Sequence, residues 1–287
     1  MKPIVPFLLF SILSAGPAAA ELRPGGKLLL TNGVTTVEGA SGGGLSNWAV
    51  IGGNATRDGI GASAHASLAI LPDFSFSSAG FAAGLFNRVE LSYAHQWFDT
   101  GDFGGTLGIG EGYTFDQDIF GAKVRVLGDV VYGSPYVPQI AVGVQHKRSG
   151  DDALVTAVGA ARPSDTDVYI SATKLFLRHS VLANASLRLT RANQTGLLGY
   201  GGPGGDDRSL QFEGSLAYQI SRPLVVGAEY RTKPSNLAFA EEENWVDLFA
   251  AYALTRNLTV TAAYVDLGSI ATSAPQRGGL IQLQAAF

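Results

Sequence analysis

The chain reads as an all-β protein, an antiparallel up-and-down transmembrane β-barrel of about twelve strands, with about fourteen as the alternative. Three observations predict this. Apolar and polar residues alternate with period two in segment after segment, the mark of strands with one greasy and one polar face. Short and long connections alternate between those segments, as in barrels with short periplasmic turns and longer outer loops. The last residues, Ile281, Leu283, Ala285 and Phe287, form an apolar row interrupted by Gln282, Gln284 and Ala286. Outer-membrane barrels of Gram-negative bacteria typically close with such a strand, and the barrel-assembly machinery reads it. Those four residues are the expected assembly signal.

The first residues read as a leader. Lys2 gives a positive start, Ile4 to Leu13 is a short apolar run, and Ala18-Ala19-Ala20 precedes Glu21. This is the pattern of a secretory signal peptide over residues 1–20, cleaved after Ala20. The run is too short for a spanning helix, which needs about 20 apolar residues. A mature chain in a membrane would therefore have to be a closed barrel, because lipid leaves an open sheet edge unsatisfied. Residues 21–58 form a Gly-rich segment. Lys27 to Thr36 and Trp48 to Ala55 could be extra strands, or the Gly39–Gly44 region could belong to a lumen plug or a periplasmic segment. The Trp48 stretch has no clear polar row, which favours twelve strands. The barrel itself is expected over residues 59–287.

Within it, Ile60 to Leu71 is the first strand, joined to the next through Pro72-Asp73. Val89, Leu91, Tyr93, His95 and Trp97 then interleave with Glu90, Ser92, Ala94 and Gln96. Ala122, Val124 and Val126 oppose Lys123 and Arg125, and Ile140, Val142 and Val144 oppose Gln145 and Lys147. Further on, Ala185, Leu187 and Leu189 oppose Ser186, Arg188 and Thr190. Leu210, Phe212, Leu216 and Tyr218 oppose Gln211, Glu213, Ser215 and Gln219. Leu224, Val226, Ala228 and Tyr230 oppose Glu229, Arg231 and Lys233. Short turns fall at Asn87-Arg88, Arg178 to Ser180, Arg222-Pro223 and Arg256-Asn257, with a medium link at Asp129 to Tyr136. The long links are Asp99 to Asp116, Arg148 to Asp165, Asn193 to Ser209, Pro234 to Glu243 and Gly268 to Arg277.

Energy assigns the faces. An Arg or Lys facing lipid at the midplane costs about 2–4 kcal/mol. Lys123, Arg125, Lys147, Arg188, Glu213, Glu229, Arg231 and Lys233 are therefore the lumen-lining candidates. Lys174 breaks the pattern, since it follows Val168, Ile170 and Ala172 on the apolar row and would have to snorkel. A charge at outward Leu216 should be poorly tolerated, and one at inward Ser215 should be milder.

Composition excludes several classes. The chain has 37 Gly and no Cys, so an exported form has no disulfide framework. A net charge of −4 offers no field for nucleic acid. A mean hydropathy of +0.16 is too low for a helical membrane protein and suits a barrel. His65, His95, His146 and His179 have no metal-ligand spacing. His95 and His146 each end an apolar row, where an amphipathic ring suits a membrane interface. Leu107 to Tyr113 superficially resembles a nucleotide loop but lacks the GxGxxG order and a following helix. Asp206-Asp207 and Glu241-Glu242-Glu243 are acidic loop clusters that read as solvated charge. No catalytic, cofactor or metal residues are selected, and no cofactor is expected.

Several stretches resemble a family of proteobacterial envelope proteins catalogued only as a domain of unknown function. They include Gly26 to Thr31, Gly42 to Leu45 with Trp48-Ala49, Glu90 to Tyr93, Gly112 to Phe115, Lys123 to Arg125, Gly143 to Lys147 and Gly227 to Pro234. The resemblance spans Gly26 to Phe287 and implies an outer-membrane barrel, without a substrate or an active site. The two-signed inward rows lead to the expectation of a non-enzymatic, porin-like channel for small solutes. The alternative is a non-conducting structural or adhesive barrel, and an outer-membrane enzyme stands behind both. Outer-membrane lipid, lipopolysaccharide and the barrel-assembly machinery are the expected partners.

Overall fold

Alternation of buried and exposed side chains runs along the wall strands. Ile60–Ile70 alternates residue by residue, and Gln139–Ser149 does the same. The computed structural model describes residues 26–287. The expected leader, 1–20, lies outside the described residues. Two two-residue strands, β1 (Val34–Thr35) and β2 (Ser41–Gly42), pair only with each other. The wall follows: β3 (Ile60–Ile70), β4 (Ser75–Leu85), β5 (Val89–Asp99), β6 (Thr114–Leu127), β7 (Gln139–Ser149), β8 (Ser164–Phe176) and β9 (Val181–Thr190). It continues with β10 (Ser209–Ser221), β11 (Leu224–Arg231), β12 (Trp245–Ala253), β13 (Leu258–Asp266) and β14 (Arg277–Ala286). These twelve strands are antiparallel to their neighbours in chain order, and β14 returns to β3 to close the barrel.

Closure is in register from Gly279 opposite Ile70 to Ala286 opposite Ser63. Beyond the strand, the Phe287 carbonyl accepts from the Asn54 and Ala62 backbone N–H groups at 2.8 and 3.0 Å. The β4–β5 turn uses left-handed residues: Phe86 and Asn87 have φ of 55° and 48°. Two consecutive positive φ values are what a tight hairpin with the right twist requires. Among the described residues, no helix is long and apolar enough to cross a membrane. The outward face carries Phe120, Leu216, Leu248 and Ile281, all more than half exposed. An apolar belt of this extent is suited to lipid rather than water. Near the long-loop end of that belt, His95 stacks on Trp97 at 4.4 Å between ring centroids and contacts Asp118 at 2.8 Å.

The Gly-rich segment is the main departure from a simple barrel. It does not enlarge the wall to fourteen strands. Residues 32–52 are almost continuously buried and run inside the lumen, because their backbone has no edge to join once β14 has met β3. Lys174 also differs from expectation. It lies on the outward row, but the link between β6 and β7 folds over it, and its Nζ donates to the Asp129 carbonyl at 3.1 Å instead of snorkelling to the interface.

Inward Ser215 differs too. Its hydroxyl meets Ser46 and accepts from Trp48 Nε1 at 2.8 Å, so there is no open lumen beside it. Leu216→Arg places charge in lipid at a cost of about 2–4 kcal/mol, while Ser215→Arg evicts the segment packed against it. Heat-modifiable mobility should show a loss of folded barrel for Leu216→Arg. Ser215→Arg should keep the barrel but lose the protection of residues 32–52 against protease. Full protection in Ser215→Arg contradicts this packing.

Candidate functional site: the plugged lumen

The segment from Asn32 to Gly52 is held by charged side chains of the wall reaching its backbone and its one carboxylate. The lone acid between Gly26 and Arg57 is Glu38. It sits at the next position to Gly39, whose φ of +90° turns the chain beneath β5. A Cβ on Gly39 would lie 3.0 Å from the Tyr93 carbonyl, so the turn tolerates only glycine. Glu38 receives Lys147 of β7 at 2.6 Å, Arg188 of β9 at 2.9 Å and Arg231 of β11 at 2.8 Å. Asp167 of β8 bridges Lys147 and Arg188 at 3.0 and 3.1 Å. Glu213 of β10 completes the layer against Arg188 at 2.5 Å.

The wall thus brings three cations and two carboxylates to this level, and Glu38 supplies the balancing charge. Burial opposes its ionisation, yet Arg188, Arg231 and Lys147 outweigh that and hold its carboxyl well below the usual range. A buried ion layer of this kind is weak evidence for stability, but removing one partner leaves an uncompensated charge and is strongly destabilising.

Two further grips flank it. Lys123 of β6 donates to the carbonyls of Ser41 and Trp48 at 2.8 and 3.1 Å and pairs with Glu90 of β5 at 3.1 Å. Glu90 in turn accepts from the backbone N–H groups of Ser41 and Gly52 at 3.1 and 2.7 Å. On the opposite wall, Glu229 accepts from the Leu45 N–H at 2.7 Å and the Ser46 hydroxyl at 2.6 Å. This approach explains Gly43, because a Cβ there would lie 1.7 Å from a Glu229 oxygen. Arg231 also donates to the Leu45 carbonyl at 3.1 Å.

All eight lumen candidates therefore face inward. Six of them, Lys123, Lys147, Arg188, Glu213, Glu229 and Arg231, converge on the plug or on its partners. Arg125 lies nearer the short turns, beside Asp129 at 3.6 Å. Lys233 lies just past β11 and pairs with Glu242 at 2.8 Å under the long loops. Glu242 is thus buried in a loop tie and is not solvated charge: its other oxygen accepts from the Gln194 N–H at 3.0 Å. Burial pushes the Lys233 ammonium down and the Glu242 carboxyl up from their ordinary values. Of the predicted terminal row, Ile281, Leu283 and Phe287 are exposed on the outer face, with Ala285 half-buried. Glu38, Glu90 and Asp167 were missed. The signal for Glu38 was its isolation in an otherwise uncharged Gly-rich stretch.

The charged layer separates two apolar ones. Towards the short turns, Val34, Trp48 and Val50 pack with Val130, Leu175 and Phe249. Towards the long loops, Val37 and Leu45 meet Phe74, Phe98, Phe115 and Trp245. One segment thus fills the lumen through the ion layer and packs apolar residues on both sides of it.

Residues 31–284 match the family described as "Protein of unknown function (DUF3034)". The chain belongs to that family. Its fold is that of outer-membrane β-barrels. The KdgM porin shares 11% identity at a TM-score of 0.50, with 78% of this chain and 99% of that one covered. The NanC porin shares 9% identity at a TM-score of 0.53, with 79% and 100% covered. At these identities the likeness is one of fold. No curated protein matches the sequence.

Glu38→Gln should lower the unfolding free energy by about 3–5 kcal/mol and expose residues 32–52 to protease, as read by denaturant melts and limited proteolysis. The sign of the pH dependence follows from the lowered pKa. The stabilisation from Glu38 is complete above its ordinary value of 4.5 and is lost only as pH falls through a much lower folded value. The plug should stay docked between about pH 7 and pH 5. A plug released on mild acidification to about pH 5 would contradict the ion layer.

Proposed function

We propose that the chain is a gated outer-membrane channel for small solutes, closed here by residues 32–52, and that it is not an enzyme. The observation that carries this reading is the chemistry of the wall behind the plug. At mid-depth the inward rows are polar, with Gln96, Gln117, Gln145, Ser171, Thr173 and Gln282 among them. Both polar atoms of the Gln145 side chain lack a hydrogen-bond partner among the described residues. A wall meant only to be packed would be apolar, since buried polar groups cost free energy unless paired. This wall can exchange the plug's backbone groups for water when the plug moves. The porin-like barrel fold is consistent with passage of solute.

The inward His65 and Ser78 lie 3.2 Å apart, a pairing hydrolases use. Here the Ser78 hydroxyl donates to the Val37 carbonyl at 2.6 Å, so the pair anchors the plug. The structural or adhesive barrel is the second reading, favoured by the filled lumen itself.

The chain has no cysteine, which allows a clean lock. Ser46 and Ser215 touch through their hydroxyls, so replacing both with Cys lets a disulfide tie the plug to β10. In planar bilayers the oxidised double variant should be silent, and reduction should restore solute-permeable openings like those of the native chain. Equal conductance in both redox states would overturn the gate, and silence in both states and in the native chain would favour the structural barrel.

A further inference from the structure

Above the plug, at the long-loop end, the barrel encloses a cavity of about 370 Å³. Its floor is Val37 and Leu45 of the plug, and its walls are inward residues near the strand ends, among them Phe76, Phe98, Phe115 and Trp245. Its roof comes from loops. Leu197 and Leu198 of the β9–β10 connection, Phe239 of the β11–β12 connection and Ile270 of the β13–β14 connection all turn inward. The roof is tied across loops, because Gln194 bonds Lys233 and Glu242 on the next loop and its side chain reaches the Ser269 carbonyl at 3.4 Å.

We propose that this cavity is a binding site for a neutral, largely apolar small molecule with ring character. Three features select that class. Among the described residues no charged side chain lines the cavity, and its polar groups are few: Thr100, Gln194 and the unpaired indole N–H of Trp245. Lys233 and Arg231 lie 4.8 and 5.7 Å from the centre of the Trp245 ring, but neither is among the cavity's lining residues, so no cation is offered to an anionic ligand. The aromatic rings present edges and faces that suit a flat or cyclic guest.

The volume falls within the range of ligand pockets and gives room for about 10–20 non-hydrogen atoms. Water is a poor occupant, since a stable buried water needs several polar partners, and an empty space this large would forfeit the packing contacts of its lining. The loop leucines and isoleucines are explained by the same guest, since connections over a barrel mouth are ordinarily polar. The mouth lies where Leu107 and Phe239, 37% and 40% exposed, meet Ala157 at the end of the short helix α1 (Asp152–Ala157). A guest entering there rests on the plug, at the position from which a channel would take it up.

The inference deepens the gated-channel reading by naming its solute class, but binding does not require conduction. The test uses the full-length protein in phosphatidylcholine nanodiscs with Trp97→Phe, which removes the lipid-facing tryptophan. Trp48 is buried within the plug on its short-turn side, and Trp245 reports on the cavity. The probe is 1-bromonaphthalene, a neutral contact quencher, with 6-bromo-2-naphthoate as its charged counterpart.

The expected result is saturable quenching by the neutral compound and none by the carboxylate. Two variants are expected to raise the dissociation constant roughly tenfold or more: Ala69→Phe fills the cavity from β3, and Ala157→Phe, on an exposed helix end, narrows its mouth. Quenching that rises linearly and equally in all variants shows partition into lipid only and overturns the proposal. Equal saturable binding of the carboxylate overturns the neutral class. Saturable neutral binding in a protein that never conducts upholds the site while removing the channel.

Discussion

Charge balance inside a closed wall is the constraint on which the rest of this structure depends. Lys147, Arg188 and Arg231 project from three strands into a lumen filled at their level by the plug, and among the described residues the wall carboxylates paired with them are Asp167 and Glu213. Burying a net positive charge there is unfavourable by several kcal/mol per ion. Glu38 removes the excess, and it can do so only if residues 32–52 thread the barrel. The plug's path, the glycines at 39 and 43, and the polar contacts to Ser41, Leu45 and Asn47 follow from bringing that one carboxylate to the axis.

The same constraint explains the layering. Apolar plug residues lie on either side of the ion layer, Val37 and Leu45 towards the long loops and Val34, Trp48 and Val50 towards the short turns. They shield the ions from both mouths and strengthen the Coulombic interactions by excluding water. The wall is therefore not a pore with a loose stopper. It is a polar tube whose filling is specified by electrostatics at mid-depth and by packing at its ends.

The wall was legible in the sequence because its physics is periodic. Lipid on one side and a polar interior on the other force alternation, so Ile60 to Ile70, Val89 to Trp97 and the β10–β11 hairpin announced themselves, and the eight charges the pattern turns inward are buried. The plug was not legible as such. Its backbone bonds to side chains distant in sequence, and neither a period of two nor one of 3.6 marks it, so the sequence favours a twelve-stranded wall without fixing what the segment does. The partners of the inward charges were hidden for the same reason: nothing local links Glu38 to Arg231. Lys174 and Ser215 departed from expectation because each is covered by a segment outside its own hairpin. The cavity was hidden too, since Leu197, Leu198 and Ile270 sit in irregular loops whose inward turn has no pattern.

The central claim, that the plug is an integral layer of the closed barrel, is tested most directly by hydrogen–deuterium exchange of the native chain in nanodiscs. Backbone amides such as Ser41, Leu45 and Gly52 donate to buried wall carboxylates. Peptides spanning residues 34–52 should therefore exchange as slowly as those of β9 and β10. Exchange at the rate of the long loops would show that the segment is not held in the lumen and would contradict the account.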